Sequence, residues 1–163
     1  MADVVPILVK IADVILLPFF LLIAVFVLLI DVQICFPTRT FPQFLVDLKE
    51  WYIEEFDDFL MVERPPLIVA AVWLVILFQW PLAIASIFGI IGKKSWYKTT
   101  YLMYGVSACS VMAPVLGHMI GTGKASDKMV MIHSSVLGPA LIAILRGLVP
   151  PPIPFKSSAK KSE

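Results

Sequence analysis

Charge is scarce in this chain and almost balanced. Only 15% of the 163 residues are Asp, Glu, Lys or Arg, and 13 basic against 12 acidic side chains leave a net charge of +1. A nucleic-acid partner needs a basic face, so that class is excluded. Cysteine is as sparse: Cys35 and Cys109 are the whole complement, and both fall in apolar stretches. Two such residues make no disulfide framework and read as small buried hydrophobes. The two histidines, His118 and His133, are isolated in sequence. They read as interfacial or hydrogen-bonded groups, so neither a metal site nor a cofactor is expected. The start of the chain also lacks the small-x-small cleavage site of a signal peptide, and Asp3 and Asp13 stand where a transit peptide has no acids. The first apolar stretch therefore reads as a retained helix.

What the chain has in quantity is hydrocarbon. It is 60% hydrophobic with a mean hydropathy of +0.92, well outside the range of soluble domains. Four strongly apolar stretches run approximately over Ile11–Phe36, Leu67–Ile91, Thr99–Met119 and Met129–Leu148. Each approaches or exceeds the ~20 helical residues that cross a hydrocarbon core. The expected fold is an all-α membrane protein of four transmembrane helices. One domain over residues 1–149 and a flexible tail over 150–163 account for the chain.

Basic residues suggest the orientation. Lys10, Lys93, Lys94, Lys98, Arg146, Lys156, Lys160 and Lys161 share one side; Arg39, Lys49, Arg64, Lys124 and Lys128 share the other. The tight Lys93-Lys94 pair and the tail favour the first side as cytosolic, which places both termini there. The last four residues, Lys160-Lys161-Ser162-Glu163, match a dilysine retrieval signal read by the retrograde-transport coat. Such a signal is an address rather than an anchor. It points to the endoplasmic reticulum membrane.

Between the first two stretches, Phe44–Leu60 is too charged to span. Phe44, Leu48, Trp51, Tyr52, Phe56 and Phe59 recur at helical spacing, which predicts an amphipathic helix on the lumenal side. Glu55 projects within that stripe and Asp58 lies at its edge. Each must find a local partner (an N–H or a lysine in the adjoining loop), stay protonated, or line a polar cavity. Asp31 follows Leu28-Leu29-Ile30 in a helix expected to continue past it, and an intramembrane acid is by default a functional candidate. Gln33 lies beside it, and Gln79-Trp80-Pro81 interrupts the second span, where proline opens the helix. The third span carries Tyr104. These polar positions are expected to converge on a pocket walled by Phe36, Trp51, Phe78, Trp80 and Tyr104.

The run Asp31-x-Gln33, Pro37, Trp51-Tyr52-x-x-Glu55-Phe56-x-Asp58, Pro65-Pro66, Phe78-Gln79-x-Pro81, followed by Lys94, Trp96, Tyr104, Val106 and Pro114, resembles the sigma-2 receptor family of EXPERA-domain membrane proteins. The resemblance covers roughly residues 20–116. It implies a four-helix endoplasmic-reticulum protein with a lipid-accessible pocket for sterols and cationic amphiphilic drugs, a possible homodimer, and kinship with the emopamil-binding sterol isomerases. Asp31, Asp58 and Gln79 match the family's pocket residues. The family's second-span glutamate is replaced by Val75, and Leu137 and Ala140 stand near its fourth-helix tyrosines.

Three functions follow as expectations. The first is a non-enzymatic sterol or lipid binder in sterol handling or trafficking. It would use Asp31 as anchor, Gln79 as hydrogen-bonding partner, Trp51 and Tyr104 as walls, and Glu55 and Asp58 at the mouth. The second is a sterol double-bond isomerase, which needs an acid and a base; no catalytic residue is assigned. The third is a structural or accessory subunit, in which Asp31 is merely packed. Whether Asp31 faces a cavity separates the first from the third.

Overall fold

A computed structural model describes residues 4–149. The tail, with Lys160 and Lys161, lies outside the described residues. Four helices are long and apolar enough to cross a membrane: Ile7–Cys35, Pro66–Ile91, Tyr97–Thr122 and Asp127–Leu148, spans 1 to 4 below. Two helices connect spans 1 and 2: a cross helix, Gln43–Phe56, and a short helix, Phe59–Glu63. The described residues contain no strand. Short links join spans 2 to 3 and 3 to 4, and the two connecting helices join spans 1 and 2, so the bundle has a terminal end and a cross-helix end.

The boundaries have local causes. Span 1 stops because Phe36 is extended before Pro37. Span 3 ends on Gly123, whose φ of 63° suits the left-handed C-terminal position. Span 4 starts at Ser126, whose Oγ accepts from the Met129 N–H at 3.2 Å. It is interrupted at Val136, because Pro139 has no N–H to offer the carbonyl of Ser135, four residues earlier. Pro18 and Pro114, by contrast, are carried inside uninterrupted helices.

The terminal half is tightly packed. Phe20 meets Tyr104 edge-on with ring centroids 5.0 Å apart, and Tyr101 at 5.3 Å. Spans 3 and 4 approach closely because Gly105 faces the Ala140 carbonyl, where a Cβ would lie only 2.5 Å away, and Gly147 faces Leu102 and the Lys98 carbonyl. An ion pair closes this end: Arg146 Nε donates to Asp13 Oδ1 at 3.0 Å and its Nη2 to Oδ2 at 3.3 Å. The Tyr97 and Tyr101 hydroxyls both reach the same carboxylate at 3.4 Å. Arg146 is buried and paired, so it is no free member of the basic set that suggested the orientation.

The cross-helix half differs from the expected pattern. The helix ends at Phe56, not Leu60, because Asp57 turns left-handed with φ 53°. Its buried face is Val46, Lys49 and Tyr52, while Phe44 and Trp51 are 66% and 54% exposed. The apolar stripe thus marks the packed face only in part: Leu48, Tyr52, Phe56 and Phe59 meet the core, while Phe44 and Trp51 turn away from it. Beside hydrocarbon an outward Phe or Trp costs nothing, so hydrophobicity does not sort the faces as it does in water. Burial holds the Lys49 ammonium below the ordinary lysine range, with Arg64 adding and Glu50 opposing.

Candidate functional site

Spans 1 and 2 each widen by one residue where their polar side chains sit. The Val32 N–H reaches back to the Val27 carbonyl and the Trp80 N–H to that of Val75, five residues in each case. These π-turns, Val27–Asp31 and Val75–Gln79, end on Asp31 and Gln79. In span 2 the cause is Pro81, which cannot donate to the preceding turn. Such bulges re-aim a side chain without ending a helix, and they frequently mark functional positions.

Asp31, Asp58, Gln79 and Tyr104 come together on one cavity of ≈ 150 Å³. Its wall runs from Ile23 to Ile34 on span 1 and from Tyr104 to Val115 on span 3. At 1.5 Å per residue both stretches give a length of about 16 Å. The cavity is narrow, elongated and mostly aliphatic. Val75 lines it too, so an apolar side chain occupies that position of the wall. From span 4 come Ile132, His133 and Val136, and not Leu137 or Ala140.

The polar groups differ in how far the protein has already used them. Asp58 is 2% exposed and caps the short helix, its Oδ1 accepting from the N–H groups of Leu60 and Met61 at 3.0 and 3.3 Å. Burial pushes its carboxyl above the usual range; the His133 charge, those N–H groups and the Tyr52 hydroxyl pull it back. Burial likewise raises the Tyr52 phenol, reinforced by Asp58 and Asp31. Gln79 donates through Nε2 to Ser107 Oγ at 3.2 Å, which leaves its carbonyl oxygen free for the cavity. Asp31 holds no ion pair among the described residues and caps no helix.

The remaining candidates lie elsewhere. Gln33 is fully buried and latches span 1 to the cross helix, donating to the carbonyls of Leu29 at 2.6 Å and Leu45 at 2.8 Å. Glu55 faces out and pairs with Lys128. Trp51 borders a separate apolar groove of ≈ 650 Å³ between span 1 and the cross helix. Of the expected aromatic walls only Tyr104 faces the cavity; Trp80 instead donates to the Ala24 carbonyl at 3.0 Å. Phe26, Tyr52 and Ile132 line both the groove and the cavity, forming the partition between them.

Sequence reasoning missed two polar groups of the cavity, Tyr52 and His133. Tyr52 was hidden in the apolar stripe. His133 carried a readable sign: Met129, His133, Val136 and Ala140 recur at spacings of four, three and four, one face of a helix. That face is directed inward, since Met129 and Ala140 are fully buried.

Comparison with known proteins gives a consistent result. The model of the EXPERA (EXPanded EBP superfamily) family matches residues 44–135. Sigma intracellular receptor 2 of Xenopus tropicalis is 28% identical over 94 residues, 57% of this chain and 55% of that protein. The proteins of that name from Macaca fascicularis and Homo sapiens are 29% identical over 90 residues, 55% of this chain and 51% of theirs. The chain spans about half the length of the curated relatives it matches. Asp58, Gln79, Tyr104 and His133 fall inside the family match; Asp31 precedes it.

Proposed function

This chain belongs to the EXPERA superfamily, and on that premise we propose that it is a non-enzymatic, membrane-embedded binding protein for a sterol or another amphiphile. The observation that carries this is Asp31: a carboxylate without an ion-pair partner among the described residues, directed at an elongated apolar cavity. An accessory subunit would have no use for such a space. The free Gln79 carbonyl and the Asp31 carboxylate are both acceptors, so the ligand brings donors: a hydroxyl, or an ammonium that pairs with Asp31 in a medium of low dielectric. Cationic amphiphiles fit on the same ground. An apolar ligand enters from the bilayer by displacing the partition of Phe26, Tyr52 and Ile132, without crossing water.

The location belongs to the same proposal. Both termini face the cytosol, the cross helix lies on the lumenal side, and the dilysine ending holds the protein in the endoplasmic reticulum through the retrograde coat. A role in sterol handling or trafficking follows from such a binder in that membrane. The test is saturable labelling of the purified protein by a photoreactive sterol, in wild type and Asp31→Asn. Labelling inside the bundle that the substitution weakens sharply supports the reading. No competable labelling of a folded wild type removes it.

One observation favours a second reading, sterol double-bond isomerisation: an imidazole and two carboxyls share the cavity, and that reaction needs an acid and a base. Conversion of an unsaturated sterol by the purified protein, lost on His133→Ala, would establish it. No turnover under conditions of saturable sterol binding would dismiss it.

A further inference from the structure

His133 lines the cavity, and the binding reading above gives it no part. Its ring is fixed by one hydrogen bond, Nδ1 to the Met129 carbonyl oxygen at 3.0 Å. A carbonyl can only accept, so this geometry assigns the hydrogen to Nδ1. With the hydrogen on Nδ1, the neutral form of the ring carries its lone pair on Nε2, on the opposite edge. Among the described residues no protein donor meets that nitrogen. The titratable groups that share the cavity are Asp31 from span 1, Tyr52 from the cross helix, Asp58 from the connection and Tyr104 from span 3; no lysine or arginine lines it.

The acceptors of the cavity are therefore of two kinds. Asp31 is a carboxylate, which an ammonium satisfies best because a charge-assisted bond is about twice as strong as a neutral one. His133 Nε2 is a neutral acceptor on a ring held in place by its own backbone, suited to a neutral hydroxyl. Asp58 is less available, since one of its oxygens already takes two N–H groups.

We propose that His133 is a second ligand-contacting anchor, whose Nε2 accepts a hydrogen bond from the hydroxyl of an uncharged ligand and so selects hydroxylated over deoxygenated apolar molecules. This rests on the binding reading and deepens it. Ammonium ligands are held at Asp31; of the two neutral acceptors in the lining, the Gln79 carbonyl and His133 Nε2, it is His133 that takes the ligand hydroxyl.

The test uses the full chain in detergent, labelled with a photoreactive sterol. The competitors are cholesterol, its 3-deoxy analogue, and an amine-bearing amphiphile. Wild type should prefer cholesterol over the deoxy analogue by roughly tenfold, the scale of one neutral hydrogen bond. His133→Phe should erase that preference, read as the ratio of cholesterol to deoxy-analogue competition within the variant. His133→Gln, which can place an amide oxygen near the position of Nε2, should restore part of it. If the Phe variant does not fold, His133→Asn serves: it keeps a donor towards Met129, loses the reach of Nε2, and should also lose the preference. A preference that persists in these variants, or that disappears in Asp31→Asn instead, overturns the inference and leaves the binding reading standing. Wild type whose labelling none of the competitors reduces overturns both.

Discussion

Two aspartates of span 1, eighteen residues apart, meet opposite fates. Asp13, in the terminal half, is enclosed by Arg146, Tyr97 and Tyr101, and each of its oxygens receives donors. Asp31, in the cross-helix half, faces a cavity and holds no ion pair among the described residues. The surroundings follow the same division. Around Asp13 the bundle is sealed by glycine contacts and aromatic edges; around Asp31 the helices widen by a residue and leave space. A buried acid is costly in a membrane. Where the protein supplies the partner, the acid acts as a brace. Where it leaves the acid unpaired in a cavity, the partner is the ligand.

The largest effect should come from breaking the brace. Arg146→Met leaves Asp13 enclosed without its counter-ion and should cost about 3 kcal/mol or more, read as a fall in Tm in detergent. A Tm within a degree of wild type would show that Asp13 and Asp31 are equivalent after all. Next, Gly105→Ala should cost about 1–3 kcal/mol, because its Cβ would meet the Ala140 carbonyl at 2.5 Å and backbone must move. The same change at Gly117, where no atom lies within 4 Å of a Cβ, should be silent.

On the cavity side the effects on stability shrink. Asp58→Ala removes a helix cap and should cost about 1 kcal/mol, while Asp58→Asn keeps an acceptor and should cost less. Asp58 also gives a pH signature. Its folded carboxyl keeps its proton to higher pH than the unfolded one, so stability should fall as pH rises from the unfolded value towards the folded one, then level off. Asp58→Asn should remove that slope in a series of Tm measurements; an unchanged slope would assign it to another group. Smallest of all, Asp31→Asn should shift stability by less than about 1 kcal/mol, since it breaks no ion pair. An Asp31→Asn loss as large as that of Arg146→Met would mean that Asp31 is a brace too.

The four spans were legible because hydropathy is a local property, and a run of apolar residues is long enough to cross or it is not. Asp31, Gln79 and Tyr104 were legible as polar exceptions within such runs, and the structure places all three on one cavity with Asp58. The orientation of the cross helix was legible only in part, since Leu48, Tyr52, Phe56 and Phe59 of its stripe meet the core but Phe44 and Trp51 do not. Its stripe pointed to Trp51, but the buried face is Val46, Lys49 and Tyr52, because lipid accepts an aromatic face as readily as the bundle does. Gln33 read as a pocket residue from its neighbours in sequence, yet it latches to Leu45; Glu55, for which a cavity and a lysine partner were both open, takes the lysine, Lys128.

Sequence alone thus determined the solvent: a chain this apolar folds in a bilayer, its backbone hydrogen bonds closed within helices. It also marked the interruption at Pro81, whose missing N–H acts within one turn, but not the left-handed turn at Asp57 that ends the cross helix. Tertiary structure alone decided which acid is answered. Asp13 and Arg146 are separated by 133 residues, and nothing in the intervening chain fixes the pairing. It is the rotation of each span about its own axis, set by glycine contacts on one side and space on the other, that places Arg146 against Asp13 and leaves Asp31 and His133 facing a cavity.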